Sequence, residues 1–303
     1  MSRAWDAHIY DRVGAPMTAM AAAVLDRLHL NGSETVLDAG CGTGRVSELL
    51  LARLPRGRVI AVDADPDMVA IAAANLGSRA DVRRADLLEL ALDEPVDAIL
   101  STATFHWIPD HERLFGRLAA ALRPGGQLVA QCGGRGNITS LRRAAEEVMA
   151  ENEFAEWFEG WQAPWTYAGP EETAERLGRA AFVAVRTWLE PHPIVPDDPA
   201  QYLSTIVLGA QVQQLPTDLR ASFVAQVIDR LPAPLTLDYV RLNIDARVSE
   251  DVGRARTSTG VEPTRQARLR MMPTIFRLMR TKRHSCQGTK VRRNTVQRVG
   301  RVM

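Results

Sequence analysis

Three cysteines in 303 residues, at positions 41, 132 and 286, are too few and too scattered for a disulfide framework or a cysteine-based metal site, and they fit a reducing compartment. No stretch reaches the roughly 18 continuous apolar residues that a membrane-spanning helix needs. The apolar run from Ala15 to Leu25 follows Asp6, Asp11 and Arg12 rather than a compact basic start, so it reads as an amphipathic helix and not as a signal-peptide core. There is no HExxH pattern, no cysteine–histidine spacing and no carboxylate cage, so no metal is expected. Internal repeats are absent too. These gaps leave a cytoplasmic, monomeric globular enzyme or binding protein as the expected class.

What is present is unevenly spread. The formal net charge is only +1, yet residues 249–303 carry 14 Lys/Arg against 3 Asp/Glu, leaving 23 against 33 of the total 37 and 36 for residues 1–248. The chain is an acidic body with a basic tail, and the two demand separate treatment.

In the body, strand and helix patterns alternate. A short apolar run, Thr35 to Leu37, ends in the turn Asp38-Ala39-Gly40-Cys41-Gly42-Thr43-Gly44, and Val46, Leu49, Leu50 and Leu54 then recur at helical spacing. Arg58 to Val62 suits a strand buried on both faces, and Asp65-Pro66 is a helix-start signal. Val82, the run Val96 to Leu100 and the run Leu128 to Cys132 supply three more strands, the last behind a turn at Pro124-Gly125-Gly126. This alternation predicts a parallel sheet with helices on both faces. Beyond Gly136, helices are expected over 138–158, 171–179, 199–208 and 217–231, and late strands over 182–189 and 237–248. The expected whole is a doubly wound, mostly parallel seven-stranded α/β sheet with helical insertions. Its expected divisions are an N-terminal helical segment over 1–30, a core over 31–136, a helical lid and sheet completion over 137–248, and a basic tail over 249–303.

Three aspartates fall where successive strands end: Asp38, Asp63 and Asp86. Open α/β sheets bind ligands in the crevice beyond those ends. Glycines at 40, 42 and 44 let backbone approach a ligand there. A nicotinamide fingerprint would put its third glycine three residues after the second, and Arg45 stands there instead, which disfavours a nicotinamide oxidoreductase. Asp63 can accept from the two hydroxyls of a ribose, Asp86 from an adenine amino group, and Asp38 lies toward a ligand's ammonium.

The motifs DAGCGTG, VDADPDMV, RADLLEL and STATFHWIPDHERLFGRLAAALRPGGQLVAQ resemble those of class I S-adenosylmethionine (SAM) dependent methyltransferases. WDAHIYDRV, EWFEGW, PWTYAGPEE and LDYVRLNI extend the resemblance over about residues 3–248, toward the trans-aconitate methyltransferase group. The resemblance implies a Rossmann-like fold, SAM as cofactor and methylation of a small molecule, a carboxylic acid first. It further implies that Gly40, Cys41 and Gly42 line the methionine part and that Asp63 and Ala64 hold the ribose. Asp86, Leu87 and Met68 would frame the adenine, Thr102 and Ala103 would flank the reactive centre, and Trp5 and Tyr10 would belong to a segment that closes over the cofactor.

A carboxylate acceptor is already ionised at neutral pH and needs positioning rather than a base. Arg135 and Asn137 are the first candidates for that, with Arg12 and Arg241 behind them, and the alternative for each arginine is a surface or loop position without a role in binding. His106, just beyond the fourth strand, would contact the acceptor, act as a base if the acceptor were a hydroxyl, amine or carbon acid, or serve only as a structural histidine bonded to backbone. Trp157, Trp161 and Trp165 would line an apolar pocket or simply pack the lid. Transfer to carbon, nitrogen or hydroxyl of another metabolite is the alternative. A SAM-binding regulatory or RNA-interacting protein has only the basic tail in its favour, since that tail has no nucleic-acid motif and a composition that favours disorder.

Overall fold

The structure is a computed structural model that describes residues 15–250, with the side chains of 15–19 excluded. Trp5, Tyr10, Arg12 and the basic tail lie outside the described residues.

Seven strands form one sheet in the order β3-β2-β1-β4-β5-β7-β6. They are β1 (Thr35–Ala39), β2 (Arg58–Asp63), β3 (Asp81–Arg84), β4 (Val96–Thr102), β5 (Leu122–Gly133), β6 (Phe182–Pro191) and β7 (Val240–Val248). The first five run parallel, and β7 enters antiparallel between β5 and β6. The strand order runs outward one way from β1 through β2 to β3 and the other way from β1 through β4 to β5, and this switch at β1 opens a crevice beyond the strand tips.

Alternation along the buried strands feeds two cores. Leu37, Ile60, Val62 and Ile99 face helix α4 (His111–Ala121) through Leu114, Phe115 and Leu118. Their chain neighbours Val36, Val59, Ala61 and Leu100 face the other way, against α1 (Ala15–Leu25), α2 (Arg45–Arg53) and α3 (Pro66–Leu76). Leu50 and Leu37 are wholly buried, and each such side chain contributes about 1.5–3 kcal/mol. Helix α3 starts where expected: the Asp65 carboxylate caps it by accepting from the backbone of Asp67 and Met68, with Pro66 at its first position.

A third core, distal to the sheet, joins α5 (Thr139–Met149) to the segment between β6 and β7. That segment contains α7 (Pro199–Tyr202), α8 (Gly209–Gln214) and α9 (Thr217–Asp229), while α6 (Pro170–Arg179) packs beside β6. Several boundaries differ from expectation. The helix expected over 138–158 ends at Met149, followed by a separate 3₁₀ turn, Ala155–Phe158. The one expected over 199–208 is broken by a π turn at Leu203–Val207. Strand β5 begins already at Leu122, and the Pro124-Gly125-Gly126 turn survives as a shift of register against β4. No helix among the described residues is long and apolar enough to cross a membrane.

Candidate functional site

The turns that follow β1, β2 and β4 enclose a cavity of about 520 Å³. Gly40 and Gly42 line it, at φ +82° and +54°. The two glycines are needed for different reasons. A Cβ at Gly40 would stand 2.2 Å from Oγ1 of Thr104, whereas one at Gly42 would meet nothing within 4 Å. Gly40 lets two segments of the protein touch; Gly42 leaves open space in the crevice. Backbone N–H groups of Gly40 and Cys41 donate to the Val62 carbonyl at 2.8 and 3.0 Å, fixing the turn to the tip of β2.

Asp63 lines the crevice at that tip. One of its oxygens accepts from the Gly42 N–H and the other from the Asp65 N–H, both at 2.9 Å, which fixes the carboxylate against the glycine turn. Burial pushes its pKa up, against the pull of those two hydrogen bonds. Met68 and Leu87, almost fully buried, supply apolar walls. Asp86 also lines the crevice but does not end a strand, because β3 stops at Arg84. It caps a short 3₁₀ turn by accepting from the Leu88 N–H at 2.9 Å.

Asp38 and Cys41 differ from the sequence expectation. Neither lines the crevice: both are buried beneath the glycine turn. One Asp38 oxygen accepts from the Ser47 hydroxyl at 2.6 Å, and the other, Oδ1, has no partner among the described residues. Burial first, then the charge of Asp63, pushes the Asp38 carboxyl up to about 7 despite the Ser47 hydrogen bond. Burial likewise raises the Cys41 thiol, which is therefore no nucleophile.

Thr102 and Ala103 close the crevice after β4. Ala103 adopts a left-handed backbone, φ 56°, held by its N–H to the Gln131 carbonyl at 2.7 Å. Ala103 and Trp107 also line a second cavity, of about 50 Å³. A water needs about 10–15 Å³ on this scale, so the second cavity holds a few heavy atoms.

Chemistry converges in that second cavity. His106, Asn137, Tyr239 and Arg241, all buried, line it together with Trp165 and Tyr167. His106 Nδ1 accepts from the Gly133 N–H at 3.2 Å. Burial, then the charges of Arg241 and His111, hold its pKa well below the ordinary value, so the ring is neutral with its proton on Nε2. Asn137 Oδ1 accepts from the Val240 N–H at 2.9 Å, and the Tyr239 and Tyr202 hydroxyls meet at 3.2 Å. A ladder of aromatic contacts, Phe223 to Phe158 to Trp161 to Trp165 to Tyr167, runs from the distal core to His106 with ring centroids 5.6–6.2 Å apart. Trp165 thus walls the cavity, Trp161 packs the lid, and Trp157 is exposed.

The structure therefore gathers Gly40, Gly42, Asp63, Ala64, Met68, Asp86 and Leu87 in one crevice, with Thr102 and Ala103 at its end. His106 and Asn137 meet in the second cavity. Arg135 lines neither: its exposed guanidinium pairs with Glu171 and Glu172 at 3.7 and 3.3 Å, because the chain turns outward directly after β5. Arg241, secondary in the sequence, takes the interior place instead, and Tyr167, Tyr239 and Ile206 were not singled out at all.

A seven-stranded sheet of this order, with a glycine turn after β1 and an acidic tip on β2, defines the class I SAM-dependent methyltransferase architecture. The family described as "Methyltransferase domain" matches residues 36–126. The trans-aconitate 2-methyltransferase of Variovorax paradoxus is 32% identical over 261 residues, spanning 78% of this chain and 93% of that protein. That of Methylobacterium nodulans is 38% identical over 127 residues, 42% of this chain and 49%, about half, of that protein's length. Among solved structures, phosphoethanolamine N-methyltransferase 2 of Haemonchus contortus, in complex with phosphomonomethylethanolamine and S-adenosylhomocysteine, shares the fold. It has a TM-score of 0.54 and 18% identity, covering 80% of this chain and 56% of that one. The chain belongs to the trans-aconitate 2-methyltransferase family. It is a SAM-dependent methyltransferase.

The residues present fit that cofactor. The crevice has the volume and the acid–apolar pairing for a nucleoside, open space at Gly42 for an amino-acid chain, and an unpartnered buried oxygen on Asp38 below the turn, where a cationic ligand lowers the electrostatic cost of the ionised acid.

Proposed function

We propose that the protein transfers the SAM methyl group to a carboxylate oxygen of a small organic acid, forming a methyl ester. The observation that carries this is the junction at Ala103 and Trp107, where the large crevice meets a small cavity rich in hydrogen-bond donors. The names of the relatives, trans-aconitate 2-methyltransferases, point to a carboxylate as well.

In this reading Asp63 accepts from the ribose hydroxyls while Gly42 and Asp65 keep its carboxylate in place. Met68, Leu87 and Asp86, which line the crevice, would hold the adenine. Bound SAM supplies a sulfonium methyl: the O–CH₃ bond forms as the S–CH₃ bond breaks, the electron pair stays on sulfur, and no proton moves. The chain has three tasks. It must hold the acceptor oxygen in line, and proximity and orientation of this kind supply roughly 7–11 kcal/mol. It must offer hydrogen bonds to the acceptor, which the Nε2–H of His106 does without acting as a base. It must also exclude water, for which residues 137–170 serve as the lid, tied to the site by the Thr166 N–H to the His106 carbonyl at 2.7 Å.

Incubation with methyl-labelled SAM and a panel of di- and tricarboxylic acids tests the proposal. Label released by mild base, as from an ester, is expected. Label only in base-stable products would move the acceptor to nitrogen, carbon or a hydroxyl.

A further inference from the structure

Among the described residues, Arg241 is a buried cation that no carboxylate within ion-pair distance balances. It stands in β7, paired in register with Gly133 of β5 and Glu190 of β6, and only 3% of it is exposed. Among the described residues its buried Nε has no hydrogen-bond partner and no carboxylate lies within ion-pair distance of its guanidinium. Its cross-strand neighbour Glu190 is engaged elsewhere, accepting from the Asn243 amide at 3.0 Å. The guanidinium instead sits 5.8 Å from the Tyr239 ring centre and lines the second cavity. Arg27, also drawn into the fold, shows the usual solution: it pairs with Asp245 at 3.1 Å and donates to the Ala130 carbonyl at 2.8 Å. A buried charge without a counter-charge is costly, and proteins keep one mainly where a ligand completes it.

The other groups on the wall narrow the ligand. His106 has spent its acceptor nitrogen on Gly133, and Asn137 has spent its carbonyl oxygen on Val240. The Asn137 side chain also meets the Tyr167 hydroxyl, so the donors that remain on this wall are the Nε2–H of His106 and the Arg241 guanidinium, a pairing that suits an anion. The space of about 50 Å³ suits one carboxylate group. Arg241 does not line the larger crevice, whereas Ala103 and Trp107 line both. The reacting oxygen must reach the junction, so the group held by Arg241 is a different one. A guanidinium bonded to the reacting carboxylate would also withdraw the electron density that attacks the methyl.

Resting on the methyl-transfer reading above, we infer that Arg241 is the specificity-determining residue of the acceptor pocket and anchors a second, non-reacting carboxylate of the substrate. The preferred acceptors are therefore acids with at least two carboxylates, and the monoester is released with one carboxylate still ionised.

The test compares wild-type protein with Arg241→Met and Arg241→Lys, using succinate, fumarate and citrate and the monoamides of the first two. Calorimetry with S-adenosylhomocysteine checks that each variant folds and keeps its cofactor site. Wild-type protein is expected to favour the di- and tricarboxylates over the monoamides. Arg241→Met is expected to lose about 30- to 1000-fold in kcat/KM on the multiply charged acids, mostly through KM, and to erase the preference. Arg241→Lys, which keeps the charge but not the fork, should recover part of it. A folded Arg241→Met protein that still discriminates as wild type does would overturn the inference. Direct binding of the same acids in the presence of S-adenosylhomocysteine separates the two layers. If wild type binds them, Arg241→Met does not, and no methyl is transferred by either, the Arg241 assignment stands and the methyl-ester reading falls.

Discussion

The Nδ1 atom of His106 accepts the backbone N–H of Gly133 at 3.2 Å, a bond that joins the turn after β4 to the end of β5 and fixes the tautomer of the ring. With Nδ1 committed and the ring held neutral by burial, His106 offers the second cavity a proton donor and no basic lone pair.

His106→Ala is accordingly expected to leave SAM affinity within about twofold while lowering kcat by about 10- to 100-fold, the loss of one hydrogen bond to a charged acceptor. His106→Gln, which retains an N–H, should recover much of the rate. At saturating SAM, kcat should show no limb attributable to His106 between about pH 6 and 8; an acidic limb near 6.5 that disappears in His106→Gln would show a base. For stability the sign is opposite to that of a salt-bridged histidine. The folded pKa is depressed, so the unfolded chain binds a proton that His106 refuses, and stability falls as pH falls through the unfolded value of about 6.5.

Asp38 gives the second pH signature. Its carboxyl, pushed up to about 7 by burial, is half-protonated near neutrality in the free protein. The sulfonium cation binds better when Asp38 is ionised, so the Kd for SAM should rise as pH falls below about 7, by up to about tenfold per unit, and Asp38→Asn should flatten that dependence. The raised folded pKa also means that a stabilising contribution present below about pH 4 is lost as pH rises through about 7. Asp38→Asn should therefore raise Tm at pH 8 more than at pH 5. Calorimetric titrations and melting curves across that range check both statements.

The glycine turn separates folding from binding. Gly40→Ala would drive a methyl into the Thr104 side chain at φ +82°, so loss of soluble, cooperatively melting protein is expected. Gly42→Ala meets open space, at a backbone cost of about 1–2 kcal/mol for φ +54°. It should fold, melt somewhat earlier and bind SAM at least about tenfold more weakly, because its methyl enters the crevice. Equal SAM affinity in the folded Gly42→Ala variant would mean that the open space at this glycine takes no ligand.

How far the sequence discloses this depends on how local each feature is. The parallel strands β1, β2 and β4 are short, doubly buried apolar runs, and the turn chemistry at their tips is written in adjacent residues, so Gly40, Gly42 and Asp63 are legible in the sequence, whereas Met68 reads as a helix core position and only the family resemblance places it at the crevice. The helix start at Asp65-Pro66 was visible for the same reason. The acceptor cavity is another matter. Its walls come from β4, β5, the lid and β7, and Arg241 reaches His106 only because β7 inserts antiparallel beside β5. Arg135 drew attention by its nearness to the end of β5, but nearness along the chain carries no information about which way the backbone turns. Asp38 had the right position and the wrong exposure, since a five-residue strand does not reveal whether its last side chains face the crevice or the layer beneath it. His106 and Asn137, each directly after a strand, are the parts of the second cavity that position along the chain discloses.

The crevice at the strand tips is the feature on which everything else depends, and a calorimetric titration of SAM into wild type and Asp63→Ala tests it most directly. Wild type should bind one equivalent, and removal of two charge-assisted hydrogen bonds of about 1.5–3 kcal/mol each should weaken the variant by at least about 100-fold. Equal affinity in a folded Asp63→Ala protein would contradict the assignment of the ribose to Asp63 and, with it, the orientation of the cofactor toward Ala103 and the second cavity.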